Sequence, residues 1–342
     1  MKLLLLFLAL VCAHGYSQSW PNGPSPSAAN PSDAQFAHPR QLMLQGKYND
    51  AIGELQQLSV AQPGLKGLAH EFGAAYYKKG DYIQAINFLK KALQEDSQDN
   101  ESTQLLGISY YLSGNPSAAI PFLEKVQAWF PRANVDAAYI LGECFIQTKD
   151  YAHARQAFAS MFDVPQDSAG AYLLTARMLF RQEFGPIALE YAQKAAAIDP
   201  KLSGSHFLLG EIHLFQSQVA EAITDFKQEL AIDPANAAAY YKLADAYSRA
   251  LKFDDAERLL QRSIWLDPSS TGPYILMGKV LEKKGEPELA VRALQRAAYM
   301  DPNNSITHHL LGQAYRDLGN NEAAERELKL GSELQSVPSS DK

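Results

Sequence analysis

The sequence contains very little cysteine and has no excess of basic residues. Its 342 residues include only Cys12 and Cys144, so it cannot build a disulfide framework or a thiolate metal site. Lysine and arginine number 31 against 38 aspartates and glutamates, which leaves a net charge of −7. Because no basic stretch is available to neutralise a phosphate backbone, we expect no nucleic-acid partner.

Long hydrophobic runs are also scarce, and the one that stands out lies at the start of the chain. Met1 and Lys2 precede nine apolar residues, Leu3–Val11. Nine helical residues rise about 14 Å, which is half of a bilayer core. A charged start, a short apolar core and small residues after it are typical of a secretory signal peptide. The sequence therefore predicts a signal peptide over residues 1–15, cleaved after Ala13 or Gly15, and a protein that is periplasmic or secreted.

Cys12 raises the question of a lipid anchor, because it directly follows the apolar run. A bacterial lipobox has a small residue before its cysteine, whereas this chain has Val11, so we do not expect lipidation. After signal cleavage, nothing in the sequence predicts an integral membrane protein. Residues 16–31 are rich in proline and serine and poor in aliphatic side chains, which is typical of an extended linker. Residues 339–342 are predicted to be a short tail.

A repeat organises the rest of the chain. Alanine recurs at intervals of 34 residues, with one interval of 35, at Ala51, Ala85, Ala119, Ala154, Ala188, Ala222, Ala256, Ala290 and Ala324. An Asp-Pro pair recurs in the same register at Pro200, Pro234, Pro268 and Pro302. Phased series of this kind indicate an array of equal structural units.

Each unit is predicted to be a pair of helices. Its first half carries apolar or small residues at helical spacing, and a glycine then occupies position 15 in five units. A second helical stripe follows and ends at the proline of position 32. The small residues at positions 8 and 20 would let the two helices approach closely, so a bulky side chain there would overpack the seam.

This pattern resembles the tetratricopeptide repeat family, and the resemblance covers residues 32–338. It implies an all-α solenoid, a right-handed superhelix of about nine helix-turn-helix repeats whose first helices line a concave groove. The predicted units are 32–65, 66–99, 100–133, 135–168, 169–202, 203–236, 237–270, 271–304 and 305–338. Pro39 falls at position 8 of the first unit, so its first helix should be short or broken.

No constellation of catalytic residues emerges from the sequence. It contains no HExxH, GxSxG or P-loop motif. His206 and His213 lie on one helical face, but the repeat needs bulky rings at both positions. His308 and His309 are adjacent and should point in different directions, and Cys144 is predicted to be a packed side chain. We therefore expect no enzyme, no cofactor and no metal.

The predicted partner-binding surface lies on the first helices, on residues turned away from their own hairpin. Positions 5 and 12 together present a strip of aromatic and aliphatic residues along the second to sixth units, although part of this apolarity serves packing between repeats. Nearby arginines add positive charge. The predicted groove residues are Tyr77, Tyr111, Tyr139, Leu173, Arg177, Phe180, Arg181, Phe207, Phe215, Tyr241 and Arg249.

The sequence allows two interpretations of the arginines. Arg177 and Arg181 are a like-charge pair one helical turn apart, which is unfavourable unless an anion lies nearby. Glu143 and Glu211 of adjacent units could supply it, or a carboxylate of a ligand could. The lysine and asparagine positions by which chaperone-binding tetratricopeptide repeats clamp a peptide carboxylate are not matched, and the asparagine ladder of the O-GlcNAc transferase arrays is absent.

The preferred hypothesis is a non-catalytic scaffold that binds a protein or peptide segment in an apolar groove. The first alternative is a structural protein of the cell envelope that self-associates through its terminal repeats. A weaker alternative is a carrier whose groove holds an amphiphile. Light scattering would separate the first two, because self-association depends on the concentration of this protein alone.

Overall fold

The computed structural model describes residues 34–129 and 135–336, and in these ranges it contains eighteen α-helices and no β-strand. The all-α architecture predicted from the repeat is therefore confirmed. The predicted signal peptide, the linker, Cys12, the inserted residue near Asn134 and the C-terminal tail lie outside the described residues. The limits of the nine predicted 34-residue repeats remain predictions.

The chain forms two compact units divided between Met178 and Leu179, inside helix α9. The helices up to this point are α1 (Ala37–Leu44), α2 (Tyr48–Ala61), α3 (Leu68–Lys79), α4 (Tyr82–Glu95), α5 (Asn100–Leu112), α6 (Pro116–Trp129), α7 (Val135–Gln147), α8 (Tyr151–Met161) and α9 (Ala169–Arg181). Those that follow are α10 (Gly185–Ile198), α11 (Ser205–Phe215), α12 (Val219–Ile232), α13 (Ala237–Arg249), α14 (Phe253–Leu266), α15 (Thr271–Lys284), α16 (Pro287–Met300), α17 (Ser305–Asp317) and α18 (Asn321–Ser336).

In the first unit, the helices α1 to α8 pair into four hairpins, and α2, α4 and α6 each also pack against the first helix of the next hairpin. Helix α1 has only 8 residues and contains the buried Pro39, so the predicted shortening of the first helix is confirmed. Arg40 on this helix donates from Nε to Glu71 Oε1 at 2.7 Å, and Glu71 is almost fully buried. This charge-assisted bond ties the first hairpin to the second.

In the second unit, the hairpins α11–α12, α13–α14, α15–α16 and α17–α18 repeat the same packing. An apolar cluster runs from α13 to α17 and includes the fully buried Leu260, Val280 and Leu294, and a second cluster joins α11, α12 and α13 around the fully buried Phe226. In neither described unit is a helix long and apolar enough to cross a membrane.

The small residues at positions 8 and 20 form the seam of each hairpin. The alanines that mark the repeat are all buried, with exposed fractions of at most 2%. A Cβ atom added to Gly73 would lie 2.6 Å from Leu89, and one added to Gly210 would lie 2.6 Å from Phe226. Since real Cβ contacts are not this short, a side chain at either position would force the partner helix or its side chain to shift, which agrees with the overpacking expected from the sequence.

The turn between the helices of each hairpin uses a left-handed backbone at position 15. Glycine supplies this backbone conformation at five of these turns, with φ between 73° and 84° at Gly46, Gly80, Gly114, Gly285 and Gly319. At four other turns a residue with a side chain takes the same conformation: Lys149, Glu183, Ser217 and Leu251. These four turns carry steric strain that the glycine turns avoid.

Candidate functional site

The predicted groove residues of the first unit are mostly part of the packing. Tyr111 and Leu173 are buried, with exposed fractions of 8% and 7%, and Tyr77 and Tyr139 are half-buried. Burial, reinforced by the charge of Glu143, raises the pKa of Tyr111. The structure therefore assigns Tyr111 and Leu173 to contacts within the protein, and neither presents an open surface.

Two further rings of the predicted groove, Phe207 and Tyr241, also serve largely as packing residues. Phe207 meets the buried ring of Phe226 edge to face, with ring centres 5.8 Å apart. Tyr241 packs over Gly272, where an added Cβ would lie 3.2 Å from its ring. Burial raises the pKa of the Tyr241 hydroxyl. Only part of each ring is open to a ligand.

The exposed part of the predicted surface lies in the second unit, around Phe215. This side chain is 70% exposed, and its ring meets that of Phe180 edge to face at 5.8 Å. The two rings border an open recess of about 330 Å³. The recess is lined by Phe180, Glu211, Leu214, Phe215, Ser217, Lys242, Asp245 and Arg249, and its walls come from α9, α11 and α13.

Two ion pairs form the polar part of the recess. Lys242 Nζ lies 2.9 Å from Glu211 Oε1, and Arg249 Nη2 lies 2.9 Å from Asp245 Oδ2. The four formal charges cancel, so the lining is neutral. Arg249 was predicted to face the partner, and it does line the recess, but its guanidinium is already paired with a carboxylate of its own helix.

Glu211, Leu214, Ser217, Lys242 and Asp245 belong to the recess but were not among the predicted site residues. The four-residue spacing between Asp245 and Arg249 is a signal that could have found one of the two pairs. The Glu211–Lys242 pair joins successive hairpins, and sequence spacing alone does not specify which side chain of the next hairpin meets Glu211.

Arg177 and Arg181, one helical turn apart on α9, are exposed at the surface. Arg181 makes no ion pair within the described part of the second unit, and Arg177 makes none within that of the first. Glu143, one of the carboxylates considered as their counterion, is buried with 3% exposure. The other, Glu211, is bonded to Lys242.

The paired histidines are held by carboxylates. His213 Nδ1 lies 2.6 Å from Asp225 Oδ2, and His206 Nδ1 lies 3.7 Å from the other oxygen of the same carboxylate. His308 Nδ1 similarly lies 2.6 Å from Glu327 Oε2. Among the residues that the structure describes, no group of three histidine, cysteine, aspartate or glutamate side chains could hold a metal ion.

Cys144 is fully buried in α7. Burial, reinforced by the charge of Glu143, raises the pKa of its thiol to about 12. A thiol with so high a pKa stays protonated near neutral pH and is a poor nucleophile. These observations agree with the packing role predicted for this side chain.

Three family models match the chain. Residues 78–161 match the model described as anaphase-promoting complex, cyclosome, subunit 3. Residues 214–270 and 275–330 each match a model described as tetratricopeptide repeat. The chain is a tetratricopeptide repeat protein. Proteins of this kind are protein-interaction scaffolds and are typically without catalytic activity.

Solved structures with a similar fold include three repeat proteins. MamA from Desulfovibrio magneticus RS-1 shares 20% sequence identity with this protein; the match covers 51% of this chain and 98% of MamA, with a TM-score of 0.47. YrrB, described as having an unusual peptide-binding site, shares 20% identity; the match covers 54% of this chain and 94% of YrrB, with a TM-score of 0.46. The Cut9–Hcn1 tetramer of the anaphase-promoting complex shares 18% identity; the match covers 83% of this chain and 56% of the matched chain, with a TM-score of 0.46. No curated protein matches the sequence.

Proposed function

We propose that this protein is a non-catalytic scaffold that binds a peptide segment of a protein partner in the recess beside Phe215. The observation that carries the proposal is the exposure of this ring, 70%, at the edge of a recess of about 330 Å³. Large aromatic side chains are costly to leave in water, and exposed aromatic anchors in concave surfaces commonly dominate binding to a partner.

The chemistry of the lining favours an apolar side chain of the partner as the group that enters. Phe180, Leu214 and Phe215 offer apolar contact, and the charges of the lining cancel in the two ion pairs. An unpaired charge on the inserted group would lose hydration without gaining a counterion. Polar backbone groups of an extended segment could instead bond the outer atoms of the ion pairs.

An acidic residue beside this apolar side chain would gain a further contact. Arg181 follows Phe180 on α9, is exposed, and makes no ion pair within the described second unit. A guanidinium in this situation is available for a bidentate bond to a carboxylate. We therefore propose a partner segment with one large apolar residue and an acidic neighbour.

Selection from a random peptide library displayed on phage tests this function. Peptides that bind the full chain should be enriched in a large apolar residue next to aspartate or glutamate. Phe215→Ala should weaken their binding about tenfold or more, since truncation of a central aromatic anchor removes about 2 kcal/mol. Arg181→Glu should weaken acidic peptides selectively.

Phe162→Ala is the matched control, because this phenylalanine is also exposed, at 57%, but lies in the first unit at the end of α8. It should leave peptide binding unchanged. If Phe215→Ala binds the selected peptides as well as the unmodified chain does, the recess is not the site. If the chain instead self-associates in light scattering and Phe215→Ala abolishes this, the occupant is a second copy of the protein.

We also propose that the protein acts outside the cytoplasm, in the periplasm or the medium. The apolar run Leu3–Val11 and the small residues that follow it support export. Intact mass of the protein recovered from the envelope fraction should be lower by the first 13 to 15 residues. A retained Met1 would contradict the proposal.

A further inference from the structure

A second feature of the surface lies on α14 and α16, away from the residues that line the recess. Arginine or an aromatic residue recurs there at the same positions of two consecutive hairpins: Arg258, Arg262 and Trp265 on α14, and Arg292, Arg296 and Tyr299 on α16. The spacing of four and then three residues places each set on one helix face. We call these six residues the arginine–aromatic stripe.

All six side chains of the arginine–aromatic stripe are exposed, and its rings unusually so. Trp265 is 69% exposed and Tyr299 is 78% exposed. The guanidinium carbon of Arg262 lies 4.2 Å from the centre of the Trp265 ring, and that of Arg296 lies 5.5 Å from the Tyr299 ring. The stacking holds a cation and an aromatic edge side by side at the surface of each helix.

Most of the positive charge of the stripe is not compensated. Arg258 is bonded to Asp255, but Arg262, Arg292 and Arg296 make no ion pair within the described part of the second unit. Lys284 binds the carboxylates of Asp254, Glu257 and Glu286 at 2.5 to 3.2 Å. Glu288, one turn before Arg292 on α16, is exposed but forms no ion pair with it within the described second unit. Three available guanidinium groups thus lie on a protein whose net charge is −7.

The repeat fold does not require these residues. The corresponding positions of α12 hold Thr224, Gln228 and Ala231, and that helix packs into its hairpin in the same way. In α18 the last two of these positions are occupied by Leu330 and Glu333. Because other second helices form without a ring or an arginine pair at these places, packing does not account for the stripe.

We infer that the arginine–aromatic stripe binds the surface of an anionic lipid bilayer. Guanidinium groups bond phosphate in a bidentate manner, and tryptophan and tyrosine are the residues enriched at the boundary between head groups and acyl chains. The stripe repeats on two helices and is exposed rather than recessed. This arrangement suits a lattice of identical anionic head groups better than a single peptide, which would present different side chains to equivalent positions.

The electrostatic balance of the whole chain does not prevent this contact. At physiological salt, charges more than about 8 Å apart in solvent are largely screened. The bilayer therefore responds mainly to the nearest groups, which include the three arginines without an ion pair in the described second unit and the exposed carboxylate of Glu288. The binding should accordingly be weak, reversible and sensitive to salt.

Flotation of the full chain with lipid vesicles tests the inference. The protein should float with vesicles of phosphatidylcholine and phosphatidylglycerol at low salt, and should not float with phosphatidylcholine alone or at high salt. Arg292→Gln combined with Arg296→Gln should weaken binding about tenfold or more, since each basic residue near an anionic surface contributes about a factor of five. Lys90→Gln with Lys91→Gln removes the same charge from α4 and should have little effect.

Trp265 provides an independent readout. Brominated phosphatidylcholine in the anionic vesicles should quench the fluorescence of the bound protein, and Trp265→Phe should remove most of the quenchable signal while Trp20 and Trp129 remain. Failure of the unmodified protein to bind anionic vesicles, or equal binding by the arginine and lysine variants, would overturn the inference. Binding of polyglutamate without binding of vesicles would overturn it in favour of an acidic protein partner. Phe215→Ala should float normally, since the inference does not depend on the recess.

Discussion

Both carboxylate oxygens of Glu229 accept the backbone N–H of Gly204, at 2.8 and 3.0 Å. The same carboxylate accepts the N–H of Phe207 at 3.1 Å, so it closes the N-terminus of α11 from a neighbouring helix. The side chain of Glu229 is fully buried. A negative group is favourable here because the first N–H groups of a helix lack partners within the helix and carry partial positive charge.

Loss of this carboxylate should be costly. Glu229→Ala leaves buried N–H groups of Gly204 and Phe207 without an acceptor, and we expect the free energy of unfolding to fall by about 2–3 kcal/mol. Urea unfolding followed by circular dichroism measures the change. Glu221→Ala on the same helix removes an exposed carboxylate and should change it by less than about 0.5 kcal/mol. Equal effects of the two variants would contradict this role of Glu229.

The close seam of the α11–α12 hairpin gives a second prediction. Gly210→Ala places a Cβ atom 2.6 Å from the ring of Phe226, which is fully buried and cannot move aside. We expect a loss of about 1–3 kcal/mol, measured as a lower midpoint of unfolding. Gly53→Ala is the control, because nothing lies within 4 Å of its Cβ in α2, and there alanine should stabilise the helix by about 0.5–1 kcal/mol.

Glycine in place of the residue with a positive φ should stabilise a strained turn. Leu251 has φ of 59° and is 75% exposed, so its side chain gains little contact in return for the strain. Leu251→Gly should raise the free energy of unfolding by about 1 kcal/mol. Leu289→Gly, in the regular helix α16, should lower it by at least about 1 kcal/mol. If both glycine variants are destabilised alike, the left-handed turn carries no measurable strain.

His70 and Asp99 form the pair from which a pH dependence follows. His70 Nδ1 donates to Asp99 Oδ2 at 2.8 Å. Burial opposes the charge on His70, but the hydrogen bond and the charges of Asp99, Glu101 and Glu71 outweigh it and raise the pKa above its ordinary 6.5. Burial likewise opposes the charge on Asp99, but its bonds to His70 and Ser102 lower the pKa from 3.8 to about 2.

The sign of the pH dependence differs for the two partners. The contribution of His70 is complete below pH 6.5 and disappears as the pH rises through its raised pKa, while that of Asp99 is complete above pH 3.8 and disappears as the pH falls toward 2. The unmodified protein should therefore exceed His70→Gln in stability most between roughly pH 4 and 6, and less at about pH 8. Unfolding of both proteins in urea across this range measures the difference, which a constant gap would contradict.

The fold could be predicted because the same small and apolar positions recur at a fixed interval along the chain. Ala256 and Gly210 stand at repeat positions where small residues recur, and the structure buries both against the partner helix. What the period did not reveal is which turns are strained. The leucine at position 251 does not by itself indicate a left-handed backbone. Only its alignment with the glycines of other repeats indicates it.

The candidate site was only partly predictable. Helical spacing identified the face that holds Tyr111 and Phe215 alike, but the structure buries the first and exposes the second. The difference depends on the side chains that neighbouring helices place against each ring. The repeat period specifies the helix face but does not specify which side chains those are. The ion pair of Glu211 with Lys242 was missed for the same reason.

The recess beside Phe215 takes its walls from α9, α11 and α13, which are joined by the Glu211–Lys242 ion pair, by the contact of the Phe180 and Phe215 rings, and by the buried cluster that Leu214 shares with Leu243 and Ala246. A side chain that enters the recess would therefore touch three helices at once. If the proposed function holds, a bound segment adds contacts between these helices, and we expect their amide hydrogens to exchange more slowly when the segment is present.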